Sequence, residues 1–95
     1  LDTWLIDQGR AFPLIREIHK IRSRRLGGAI FVDMHMLIDP DATVEQAHEL
    51  TEAFAHHITA QRSDLLDVLI HIEPFSAGDP DTAQPEAESP LETPV

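Results

Sequence analysis

The chain has no cysteine. That excludes a disulfide framework, a thiolate metal site and a thiol nucleophile. It also leaves the redox compartment open, with a cytosolic location permitted. No apolar run approaches the roughly 18–20 residues of a membrane span. There is no signal peptide and no initiator Met, and the chain, starting at Leu1, reads as an excised piece of something longer. Bases are scarce. Seven Lys and Arg face 17 Asp and Glu, for a formal net charge of -10. That balance argues against non-specific binding to nucleic acid or to an anionic membrane, and it favours cations. Catalytic signatures are missing too. There is no Ser/His/Asp order, no glycine-rich phosphate loop and no convincing acid/base pair, so no enzyme is expected.

What is present fits one domain at most, 95 residues with 42% apolar side chains. A core of that size is modest, and a metal or a partner subunit is expected to support it. The most informative stretch is Val68-Leu69-Ile70-His71-Ile72-Glu73-Pro74. On a strand, Val68, Ile70 and Ile72 share one apolar face, while Leu69, His71 and Glu73 share the other. His71 and Glu73 then lie roughly 6.5–7 Å apart at Cα, where both can point at one ion. Pro74 removes a ladder donor and stops the strand.

Taken in order, residues 1–12 read as a helix, with Asp2 or Thr3 as cap and Pro13 as its end, despite Gly9. Residues 14–25 become extended. Ile18 and Ile21 break the alternation, which predicts a bulge or a change of exposed face. Simple alternation would put His19, Ile21 and Ser23 on one side and Lys20, Arg22 and Arg24 on the other. Gly27-Gly28 marks a hairpin turn. Residues 29–39 are the clearest strand, with Ile30, Val32, Met34, Met36 and Ile38 on one face and Phe31, Asp33, His35, Leu37 and Asp39 on the other. Asp39-Pro40-Asp41 is a turn. Residues 43–61 are the main helix, opened by a Thr43/Gln46 capping box and carrying Val44, Ala47, Thr51, Phe54 and Ile58 toward the sheet. Residues 66–73 are the last strand. Ser76–Val95 holds four prolines and five acids with no base, which predicts a disordered acidic tail. The order is α-β-β-α-β, with both helices on one face of the sheet, a right-handed crossover and the other face open.

His19, His35, His48, His71 and Glu73 are candidate ligands for Zn²⁺ or another first-row divalent ion. From spacing alone, ordinary surface side chains remain the equal alternative, because no C-x-x-C or H-E-x-x-H signature is present. His56-His57 diverge by about 100° on a helix and read as solvated surface. Lys20, Arg22, Arg24 and Arg25 are the only basic cluster and are expected to make local salt bridges. Met34 and Met36 read as core, and Trp4 as a hydrophobic anchor.

The ordered set His19-Lys20-Ile21-Arg22-Ser23-Arg24, Gly27-Gly28, Ile30 to Met36, Val44-Glu45-Gln46-Ala47-His48 and His71-Ile72-Glu73-Pro74 resembles the cytosolic C-terminal domain of cation diffusion facilitator transporters. The resemblance covers roughly residues 3–75. It implies an α+β, metallochaperone-like (ferredoxin-like) two-layer sandwich over residues 1–75, with residues 76–95 as the tail. It implies a regulatory homodimer on the cytoplasmic side of a cell membrane, continuous with a transmembrane exporter and binding no nucleic acid. It implies His19, His35, His48, His71 and Glu73 as ligands for Zn²⁺ first, with Mn²⁺, Fe²⁺, Co²⁺ and Ni²⁺ also compatible. Many relatives carry Asp where Glu73 stands and an acid where Lys20 stands. Metal bound between subunits would favour the closed dimer and transport, and binding is expected to weaken below about pH 6.5. The competing reading is a purely structural dimerisation domain with incidental histidines.

Overall fold

The computed structural model describes residues 1–76. Its elements are α1 (Asp2–Gly9), β1 (Ile15–Leu26), β2 (Ala29–Ile38), α2 (Val44–Gln61) and β3 (Leu65–Pro74). The strands form one sheet in the order β1-β2-β3. β1 and β2 pair antiparallel through the Gly27-Gly28 turn, and β2 and β3 pair parallel across the α2 crossover. The expected α+β order therefore stands. The tail expectation falls, apart from Ser76, outside the described residues.

β2 is central, and its inward side chains build the core. Ile30, Val32, Met34, Met36 and Ile38 are all at most 5% exposed. Leu50, Phe54 and Ile58 of α2 and Leu5 of α1 close over them. The two methionines are fully buried, as their strand positions required. Leu37 belongs to the opposite face by alternation, yet it too is fully buried, with Glu17 and Glu73 beside it in register.

Several local features differ from the sequence pattern. α1 ends at Gly9, and residues 10–14 run through successive turns that bring Phe12 edge-on to Phe54, 5.5 Å between ring centres. No side chain caps its first turn, so neither Asp2 nor Thr3 acts as cap. Gly9 earns its place by proximity, since a Cβ there would lie 2.8 Å from Ile18 Cδ1. On α2 the capping box is complete, with Gln46 N–H donating to Thr43 Oγ1 at 3.0 Å and Thr43 N–H donating to Gln46 Oε1 at 2.8 Å. Its buried stripe is Leu50, Phe54 and Ile58, not one beginning at Val44, which is 88% exposed. At about 100° per residue, Val44 points some 80° away from Phe54.

The break in β1 is real and consequential. His19 pairs with His35 and Arg22 with Asp33, so Lys20 and Ile21 together oppose Met34. Lys20 takes the left-handed conformation, φ 52. This bulge overturns simple alternation. Ile18 and Ile21 both pack toward the core, while His19, Arg22 and Arg24 share the open face.

Two surface carboxylates clamp the loops around α2. Asp39 accepts from the Asp41 backbone N–H (2.9 Å) and from Arg16 (3.0 Å), which together hold its carboxyl below the ordinary range. Asp64 takes two guanidinium bonds from Arg62, at 3.1 and 2.8 Å, and is held low by them. Truncating Phe54 to Ala should cost about 3–5 kcal/mol, read as a large fall in melting temperature by circular dichroism. Depressed carboxyls contribute stability above their ordinary pKa of about 3.9, and that contribution is lost as pH falls through the folded value. Urea melts should therefore show stability declining on acidification below about pH 4, with a shallower decline in Asp39→Asn and Asp64→Asn.

Candidate metal centre

The open face of the sheet sets three imidazoles in one row. His19, His35 and His71 are in register across β1, β2 and β3. The His19 and His35 rings meet edge-on at 5.8 Å, and His35 stacks on His71 at 4.8 Å with 23° between planes. Glu73 lies one pair further along β3 and reaches diagonally to His35, with Nδ1 to Oε2 at 2.5 Å.

Three of these residues converge. One donor atom from each of His19, His35 and Glu73 lies within 4.8 Å of the others. His19 supplies the clearest chemical fact. Its Nε2 is buried without any hydrogen-bond partner. An imidazole nitrogen in that state has lost water and gained nothing, a penalty of about 1–3 kcal/mol. Its Nδ1 faces Glu17 at 3.7 Å. Glu17 was not among the sequence candidates, although two residues of strand spacing put it on His19's face. A carboxylate behind a ligating histidine fixes ring orientation and raises donor basicity. Two neutral imidazoles and one carboxylate suit Zn²⁺ and the neighbouring divalent ions. A cation that took Nε2 as a ligand would relieve it, and the donor types fit such an ion.

The remaining histidines are placed differently. His71 contacts His35 but falls outside the convergent trio. His48 sits on the outer surface of α2, beyond the opposite layer, with Nε2 at 3.2 Å from Glu52. His57 bridges the helices, with Nε2 at 2.7 Å from Gln8 Oε1 and its ring against Phe12. His56 is exposed. Among the bases, Arg22 meets Asp33 at 3.4 Å as a local ion pair, and Arg24 lies over the Phe31 ring. Trp4 is half-buried against the core, under the Arg62 guanidinium.

A two-layer α-β-β-α-β domain with a histidine and carboxylate row on its uncovered face defines a metal-handling class. Residues 7–75 match the family described as "Cation efflux protein, cytoplasmic domain", and the chain belongs to that family of cation diffusion facilitator domains. The magnetosome protein MamM of Paramagnetospirillum magneticum is 32% identical over 88 residues, 92% of this chain and 27% of its own length. The manganese efflux system protein MneP of Bacillus subtilis is 33% identical over 61 residues, 64% of this chain and 20% of its own. The chain thus spans about a quarter or less of these relatives. Among solved structures, the metal-bound C-terminal domain of the CzcD transporter from Thermotoga maritima aligns with a TM-score of 0.72 at 33% identity, covering 77% of this chain and 87% of that one. A copper form of the MamM C-terminal domain aligns at 0.73 and 28% identity, covering 82% and 76%. The family is one of metal transporters. No helix among the described residues is long and apolar enough to cross a membrane.

The orphaned nitrogen yields a test that needs no metal. In chelator-treated protein, His19→Leu should be neutral or stabilising by up to about 1–3 kcal/mol in urea unfolding, because it removes an unsatisfied polar atom. A loss of several kcal/mol would mean the imidazole is satisfied in solution.

Proposed function

We propose that residues 1–75 form the cytosolic regulatory domain of a divalent-cation efflux transporter, a homodimer that binds metal between its copies to favour transport. Zn²⁺ is the first-choice ion. The observation that carries this reading is the His19/His35/Glu73 convergence with its unpartnered Nε2. That is a donor set prepared for a cation in a chain of net charge -10. The metal-bound relatives support it.

The proposed ligand set also keeps His71 and His48. His71 is within a ring contact of His35, so a modest side-chain change brings it to an ion at the row. His48 is on the far side of the domain and 70% exposed at its side chain. It joins a shared ion only across a contact with another copy. Ligands divided between copies make affinity depend on association, and metal then stabilises the closed pair by mass action. The attached membrane segment carries the ion, and this domain biases the conformation that releases it.

Zn²⁺ titration of chelator-stripped protein by calorimetry, beside a His35→Ala/His71→Ala double variant, tests the reading. The wild type should bind saturably, and the variant should lose at least about tenfold in affinity. Light scattering on the same samples should show the dimer fraction rising with metal. Equal binding by both proteins would move the ion elsewhere. Absence of binding by either would leave a dimerisation module with incidental histidines.

A further inference from the structure

We propose that the tip of the β1–β2 hairpin is a docking prong for an anionic lipid surface. This goes beyond the metal reading and holds whether or not the histidine row is loaded. Whole-chain charge argues against such binding, but bases outnumber acids at this end of the sheet, where Lys20, Arg22, Arg24 and Arg25 of the hairpin stand against Asp33 of β2 and against Asp64 and Asp67 beside the start of β3. From Ile18 to Val32 the sequence carries four bases and no acid. The acidic turn at Asp39 and Asp41 lies at the other end of the sheet, where Ile38 pairs with Ile15. The pairing runs out to Leu26 and Ala29, so this segment ends in a narrow two-glycine turn.

Three observations give the tip its character. Leu26, beside the turn, is 73% exposed. No heavy atom beyond the neighbouring residues lies within 4 Å of where a Cβ would stand at Gly27 or Gly28, so the turn itself is uncovered. Arg24 and Arg25 point to opposite faces of the hairpin, Arg24 opposite Phe31 and Arg25 opposite Ile30. The exposed leucine therefore follows two bases on opposite faces, Arg24 with its guanidinium over the Phe31 ring and Arg25 within electrostatic reach of Asp64, with Arg22 behind them, paired to Asp33 yet 82% exposed. An apolar tip with cations at headgroup height is the pattern of an interfacial anchor. The leucine enters the boundary region and the guanidiniums take lipid phosphates in bidentate bonds. A folded protein partner would have to present a groove for the tip, whereas a bilayer accepts a convex prong from any direction about its normal. Repulsion of the acidic remainder from the same surface fixes the orientation with the hairpin foremost.

The experiment is co-sedimentation of the chain with vesicles of phosphatidylcholine alone or with phosphatidylglycerol as about a third of the lipid, at about 0.05 M and 0.15 M salt. The chain should pellet with the anionic vesicles, more strongly at low salt, and not with the neutral ones. Each arginine near the surface contributes roughly a factor of five, so Arg24→Gln/Arg25→Gln should reduce partitioning about 25-fold. Leu26→Asn should weaken binding without changing its salt dependence. Arg10→Gln, a change to an exposed base on the α1 side, should leave it unaltered. Far-ultraviolet circular dichroism checks that each variant is folded. Equal binding to both vesicle types, wild-type binding by the double arginine variant, or no binding to anionic vesicles at low salt would each overturn the proposal. Binding to soluble poly-glutamate without vesicle binding would overturn it too, and would assign the hairpin to an acidic protein.

Discussion

Everything in this domain depends on β2 having two faces and two neighbours. Its inward side chains are the centre of the core, and its outward row carries Asp33, His35 and Leu37. Because side chains alternate with a period of two, a slip of one residue in either pairing would bury His35 and expose Met34 or Met36. The apolar face therefore fixes the register, and the register in turn lines up His19, His35 and His71 across the sheet. Core packing and site geometry are one constraint seen from two sides. A site assembled this way rests on the core beneath it, which holds the spacing of the row.

The uncovered face carries a cost that the helices do not share. It holds the buried Nε2 of His19, which has no hydrogen-bond partner. The neighbouring His35 and Glu73, by contrast, already share a hydrogen bond. A divalent cation taken up there would satisfy that nitrogen, and its charge would offset part of the self-repulsion of an acidic chain. Membership of the cation efflux family's cytoplasmic domains places that chemistry in a setting where it is useful.

Much of this was legible in the residues. Alternation identified β2 and β3 and their open face, the Thr43/Gln46 spacing located the start of α2, and the two methionines read as core from their strand phase. The bulge was legible as a disturbance between Ile18 and Ile21 but not in its outcome. Which face Arg22 and Arg24 take depends on whether one extra residue is absorbed there, and only the pairing with Asp33 decides that. The end of α1 was missed because Phe12 prefers the ring of Phe54, a contact between residues 42 apart in sequence. Val44 looked like a stripe residue because helical spacing has tolerance, yet the buried stripe is Leu50, Phe54 and Ile58 and Val44 points away from it. Glu17 escaped notice because nothing local distinguishes a carboxylate beside a histidine from any other exposed acid.

The sequence by itself determined the element order, the apolar faces and the donor types available, since these follow from short-range periodicity and side-chain chemistry. Tertiary structure alone decided which donors meet. It joined His19 to His35 and Glu73, left His48 on the far surface of α2, and put Arg24 and Arg25 on opposite faces of one hairpin. The physical reason is that strand register, a bulge and a helix crossover are set by burial summed over the whole core, and no local window of residues contains that sum.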